Sequence, residues 1–161
     1  MIRQVREQDL DRCYEIERIA YSGDEAASKE KIAKRIKTYP QGFIVEEHEG
    51  EVVGFINSGA CHQVELSDED FKELIGHDPK GKHIVIMSVV VHPDFQKKGF
   101  ASKLMQAFIV LMTQKEKSDI YLICQTELVD MYASFGFKYL GESESDHGGI
   151  AWHDMVLTLY N

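Results

Sequence analysis

Apolar and polar positions alternate along this chain in two distinct rhythms. Ile2-Arg3-Gln4-Val5-Arg6 reads as a short first strand, followed by a helix from Gln8 or Asp9 whose Leu10, Cys13, Ile16, Ile19 and Ala20 fall on one face. Tyr21 to Ala27 breaks that helix. Ser28 is placed to cap a second one through Ile32, Ala33 and Ile36, with Lys31 where a capping box would have a carboxylate, and Tyr39-Pro40 ends it. Phe43–Glu47 and Val52–Cys61 read as strands joined by a hairpin at Glu49-Gly50. Leu66 to Ile75 reads as a short helix with Ser67 as N-cap and Asp70 at the reciprocal position, and 76–82 as a loop. His83 to Val91 is a β-branched run that Pro93 stops, because proline cannot donate to a ladder. From Ala101, the positions Leu104, Met105, Phe108, Ile109, Leu111 and Met112 recur at helical spacing to about Glu116. Ile120–Cys124 is continuously apolar, as expected of a strand buried on both faces. Leu128–Phe135 is a short helix closed by Gly136, and 137–141 and 150–159 are the last strands.

The centre of this pattern is the strand–turn–helix from Met87 to Met105. A helix starting after Gly99 has unpaired N–H groups and a partial positive charge at its N-terminus, which suits an anion such as phosphate. Lys97, Lys98 and Lys103 concentrate positive charge there, in a chain of formal net charge −9. Gly99 is the one residue of the turn expected to take a positive φ or to let a ligand approach the backbone.

At 161 residues, with 43% hydrophobic and 28% charged residues, the chain is expected to be one globular domain spanning 1–161. No apolar run approaches a membrane span, and the first residues lack the apolar stretch of a signal peptide. Three cysteines without paired spacing imply buried thiols and a cytoplasmic setting, not a disulfide framework. The acidic balance argues against nucleic acid and favours cationic partners such as amines. No histidine pair has metal-ligand spacing, so no metal is expected, and no G-x-S-x-G elbow occurs.

Gln96-Lys97-Lys98-Gly99-Phe100-Ala101 resembles the Q/R-x-x-G-x-G/A acetyl-CoA signature of the GNAT acetyltransferase superfamily, and Val89–Pro93 resembles the strand that leads into it. Met131–Phe137 resembles the family's Y-x-x-x-G-F motif, and the order of elements also resembles that fold. The resemblance implies an α/β (α+β) GNAT acyl-CoA N-acyltransferase fold, a central mixed, mostly antiparallel sheet flanked by helices. It implies that backbone groups of Val89 and Val91 meet the pantetheine arm of acetyl-CoA. It further implies that the amides of Gln96, Lys97, Lys98, Gly99, Phe100, Ala101 and Ser102 cradle the pyrophosphate, and that the Tyr132 hydroxyl faces the CoA sulfur as general acid. Within the superfamily the chain looks most like the arylalkylamine N-acetyltransferase-like branch, on Val91-His92-x-x-Phe95–Gly99, Cys124–Phe137 and Glu25-Ala26-Ala27. The animal members of that branch carry two strand histidines; Val85 and Met87 stand at those positions here.

Transfer to an amine has two proton requirements. An alkylamine with a pKa of about 10.4 must lose a proton, and a leaving thiolate with a pKa of about 8.5 is helped by gaining one. Glu65, His62, His83, His153 and Asp154 are the candidates for the base, together with a water chain ending at Glu65. Cys124 ends an apolar strand and is a poor nucleophile. Asp24, Glu25 and Glu30 could meet an amine but suit water better. The expected acceptor is a small arylalkylamine or polyamine; a peptide acceptor, or acyl-CoA binding without catalysis, are the other two outcomes. Phe43, Phe55, Tyr39 and Trp152 suit an amine pocket or the core. A homodimer through the last strands is compatible with the pattern.

Overall fold

A computed structural model describes residues 1–21, 26–66, 71, 74–143 and 151–159. Its strands are β1 (Ile2–Gln4), β2 (Ile44–His48), β3 (Glu51–Cys61), β4 (His83–Val91), β5 (Asp119–Gln125), β6 (Lys138–Glu142) and β7 (Trp152–Thr158). The helices are α1 (Leu10–Ala20), α2 (Lys29–Thr38), α3 (Phe100–Gln114) and α4 (Val129–Ser134). The strands form one seven-stranded sheet in the order β1-β2-β3-β4-β5-β7-β6. Every pairing is antiparallel except β4 with β5. This is the mixed, mostly antiparallel sheet that the resemblance implies. No helix among the described residues is long and apolar enough to cross a membrane.

Local chemistry explains most boundaries. Ser28 caps α2 by accepting the Lys31 N–H at 3.2 Å. Glu49 and Gly50 take φ of 54° and 80°, the two positive values that a tight hairpin needs to match strand twist. Gly136 takes φ 105° just past α4.

Helices cover both faces of the sheet. On one face Leu104, Met105, Phe108 and Met112 of α3 pack with Ile56, Ile84, Ile120 and Met155. On the other, Cys13 and Ile16 of α1 and Ile32 and Ile36 of α2 pack with Val45, Phe55 and Val90. Phe108 is fully buried, and Phe108→Ala would cost about 3–5 kcal/mol.

The feature that shapes the site is a bulge in β4. Asn57 lies opposite Ser88 and Ser58 opposite Ile86, so Met87 is an extra residue. Consequently Ile84 and Ile86 join the α3-side core, whereas Val90, of the same parity, joins the α1/α2-side core. β4 pairs with β5 only through His83–Val85 and Asp119–Tyr121. Past the bulge the two parallel strands part, while β5 stays paired along its length with β7.

Several expectations are corrected. β1 ends at Gln4, and Val5 instead donates its N–H to Phe43 at 2.9 Å. β5 is not buried on both faces: Ile120, Leu122 and Cys124 are buried, while Asp119, Tyr121, Ile123 and Gln125 are half-buried. The parted strands leave that second face open. On α1, Ile19 is 46% exposed and Glu17 is buried, so the inward face turns toward Cys13, Ile16 and Glu17. Ser67 and Asp70, the expected cap of a helix at 66–75, lie outside the described residues. Leu66 and residues 74–76 are in turns, with Leu74 at φ 64°.

Candidate active site

The loop after β4 is built from short-range contacts. Pro93–Phe95 form one 3-10 turn, capped by His92 Nδ1, which accepts the Asp94 N–H at 3.1 Å. Gln96 Nε2 turns back to donate to the Val91 carbonyl at 3.1 Å. Gly99 begins α3 at φ 85°, and no side chain caps that helix end. The first amides of α3 therefore remain available to an anion. Lys97 also takes a positive φ, 63°, so Gly99 is not the one residue of the turn to do so. A Cβ on Gly99 would meet no protein atom within 4 Å, which makes its requirement within the chain one of backbone conformation. The Lys98 ammonium lies 5.7 Å from the Phe95 ring centre and the Lys103 ammonium 5.5 Å from that of Phe100.

The parted ends of β4 and β5 enclose a cleft of about 1020 Å³. Val89, Val91, Gln96, Lys97, Gly99, Phe100, Ala101, Ser102 and Tyr132 all line it; Lys98 does not. The His92 N–H bonds to Val53 across β3, so by alternation the carbonyls of Val89 and Val91 face the open edge of β4. The Tyr21 hydroxyl donates to the Val89 carbonyl at 3.3 Å.

Tyr132 is 5% exposed and packs edge-to-face on Phe137, 5.9 Å between ring centres. Burial, then the neighbouring Tyr21 and Cys124, push its phenol above the ordinary value, so it stays a proton donor. Cys124 is pushed up to about 11 by burial and by Glu127, and its thiol donates to the Met155 sulfur at 3.8 Å. A thiol held protonated in this way is a poor nucleophile.

Of the five candidate bases, Glu65 lines the cleft. His62 Nε2 is 2.8 Å from Asp78, and His83 Nδ1 is 2.6 Å from Asp119. His153 bridges the Tyr139 hydroxyl at 2.9 Å and the Thr126 hydroxyl at 2.8 Å. None of these three histidines, nor Asp154, lines the cleft. Val85 and Met87 do. Trp152 also lines it, whereas Tyr39, Phe43 and Phe55 are core residues. Glu30 is exposed, and Asp24 and Glu25 lie outside the described residues.

A polar group on the α1/α2 side was not anticipated from the sequence. Glu17 is 1% exposed and Arg35 4%, and both line the cleft beside Ser88. Glu17 Oε2 accepts the Ala27 N–H at 2.9 Å. Burial raises the Glu17 carboxyl above its ordinary value, against the Ala27 N–H, the Arg35 charge and the Ser88 hydroxyl. The available signal was its spacing: Cys13, Ile16, Glu17 and Ala20 share one helical face.

Residues 8–137 match the model of the acetyltransferase (GNAT) family. The chain is 28% identical over 141 residues to an N-alpha-acetyltransferase of Sulfurisphaera tokodaii, covering 85% of this chain and 79% of that protein. It is 26% identical over 156 residues to the serotonin N-acetyltransferase of Mesocricetus auratus, covering 94% and 74%. A probable hydrolase of Bacillus subtilis is 25% identical over 114 residues, 66% of this chain but 22% of that longer protein. Among solved structures, the loading GNATL domain of CurA from Lyngbya majuscula superposes with a TM-score of 0.86 at 16% identity, covering 99% of this chain and 97% of that one. The putative acetyltransferase yncA of Salmonella typhimurium, solved with acetyl-CoA, superposes with a TM-score of 0.73 at 19% identity, covering 100% and 94%.

Proposed function

The chain belongs to the GNAT family of acetyltransferases, and from that premise we propose that it moves the acetyl group of acetyl-CoA onto a small primary amine. The observation that carries this is the parting of β4 from β5, which puts the loop from Gln96 to Ser102 and the buried Tyr132 on one cleft. The residues present suit acetyl-CoA. Uncapped amides at the start of α3 match a pyrophosphate, and the edge carbonyls of Val89 and Val91 match the amide donors of a pantetheine arm. Acetyl-CoA would supply the activated thioester. Tyr132, kept protonated by burial, would give its proton to the departing sulfur.

An arylalkylamine or polyamine is the acceptor class we favour. The similarity to a serotonin N-acetyltransferase and the presence of Trp152 on the cleft wall support it. The similarity to an N-alpha-acetyltransferase keeps a peptide amine as the second reading. The exposed edge strand β6, with Tyr139 and Leu140 about half exposed, supports a homodimer through the last strands. A coupled assay of free CoA tests the function, with phenethylamine, spermidine, amino acids and short peptides as acceptors. Release with an arylalkylamine or spermidine is expected. Release with peptides alone would favour the second reading, and acetyl-CoA binding without release on any acceptor would favour a binding module.

A further inference from the structure

We infer that Glu17 is the carboxylate that receives the acceptor's ammonium group and takes its proton, an inference that rests on the amine acetyltransferase reading above. The geometry is that of a half-satisfied buried carboxylate. The Ala27 N–H holds Oε2 at 2.9 Å and the Ser88 hydroxyl also acts on the carboxyl, while no hydrogen bond within 3.5 Å ends on Oε1 among the described residues, although Glu17 is 1% exposed. A buried, unpartnered carboxylate oxygen is costly unless something donates to it, and an ammonium group supplies the missing donor. The position is also right. Glu17 sits on the α1 wall of the cleft, with Ser88 on β4 immediately past the Met87 bulge. Asn57, directly opposite Ser88, is a second fully buried side chain whose amide atoms have no partner among the described residues.

Burial and the groups around Glu17 act on its proton affinity in opposite directions. Arg35 faces it from α2, Tyr21 lies beside Arg35 at the end of α1, Cys13 stands one turn earlier on α1, and Ser88 approaches from β4. Burial favours both a protonated Glu17 and a neutral amine, whereas the Arg35 guanidinium disfavours a second cation but also holds the carboxylate ionised, so burial is what drives the transfer. The ammonium proton passes to Oε1, the neutral nitrogen forms the C–N bond to the acetyl carbon, and the C–S bond breaks. The sulfur takes a proton from Tyr132, which regains one from the acylated nitrogen. Glu17 then releases its proton to solvent, so each turnover yields amide, CoA and one proton.

The test compares wild type, Glu17→Gln and Glu17→Asp, with phenethylamine and spermidine as probes and acetyl-CoA affinity as the check on folding. Glu17→Gln should lose about 10²-fold in kcat/KM at neutral pH with acetyl-CoA affinity unchanged. The loss should shrink as the pH rises toward the amine's own pKa of about 10.4, where no base is needed. Glu17→Asp should show a smaller loss with the same trend, and it carries the test if Glu17→Gln fails to fold. Turnover within about twofold of wild type, or a loss equal at all pH values, would overturn the assignment while leaving the acetyltransferase reading intact. No release by wild type with either amine would remove the small-amine reading and, with it, this assignment.

Discussion

The Tyr21 hydroxyl donates to the Val89 carbonyl at 3.3 Å, on the edge of β4 that the bulge at Met87 frees from β5. The end of α1 is thereby tied to the carbonyl we assign to the pantetheine arm. An incoming donor must displace or share that bond. Tyr21→Phe should therefore tighten acetyl-CoA binding by about 2- to 10-fold, the worth of one net hydrogen bond, as measured by calorimetry. Weaker binding in the variant would mean that Tyr21 helps to hold the arm.

Gly99 combines φ 85° with open space in front of its Cα. Gly99→Ala should cost only the left-handed backbone penalty, about 1–2 kcal/mol in urea denaturation, since the new methyl meets no protein atom. Acetyl-CoA affinity should fall further than stability does, by more than tenfold, because the methyl stands between the backbone and the bound anion. Equal affinity would place the pyrophosphate elsewhere.

Tyr132→Phe should lower kcat about 10²-fold while acetyl-CoA affinity stays within about twofold. Burial raises the phenol above the ordinary value of about 10, so the group remains protonated throughout the working range. The wild-type rate should thus show no basic limb below about pH 10 that disappears in Tyr132→Phe. Such a limb, or unchanged kcat, would remove Tyr132 from the proton path.

Asp9 anchors the N-terminal edge of the sheet. It accepts two hydrogen bonds from the Arg3 guanidinium, at 2.8 and 3.0 Å, and one from the Arg6 N–H at 2.8 Å. Burial works against its charge, but these donors outweigh it and hold the carboxyl below the ordinary range. The stabilisation is fully present above the unfolded value of about 3.9 and is lost as the pH falls through the lower folded value. Asp9→Asn should cost about 1.5–3 kcal/mol near neutrality, and the gap to wild type should close in acid, as followed by urea titrations at several pH values. A gap that does not change with pH would show that the charge contributes nothing.

The parts legible in the sequence were those that local chemistry decides. Ser28 capping α2, the Glu49-Gly50 hairpin, the Pro93 stop and the Gly99 turn each follow from one residue's backbone limits. The rest depends on tertiary structure. The Met87 bulge has no residue-type signature inside an apolar run, yet it swaps the faces of β4 and ends its pairing with β5. The single-faced burial of β5 follows from that parting, so an apolar run alone misrepresents it. Lys97 takes a positive φ that its side chain does not announce. Glu17 was hidden because a carboxylate between Ile16 and Arg18 looks solvent-facing until the phase of α1 is fixed by what it packs against.

On the reading proposed above, the cleft between β4 and β5 binds acetyl-CoA through the loop from Gln96 to Ser102. Calorimetric titration of acetyl-CoA into the wild-type chain and into Gly99→Asp tests it most directly. One acetyl-CoA should bind saturably to each wild-type chain. That binding should be lost when a carboxylate replaces the glycine at the helix N-terminus, with the variant still folded. No binding by wild type, or equal binding by both, would contradict it.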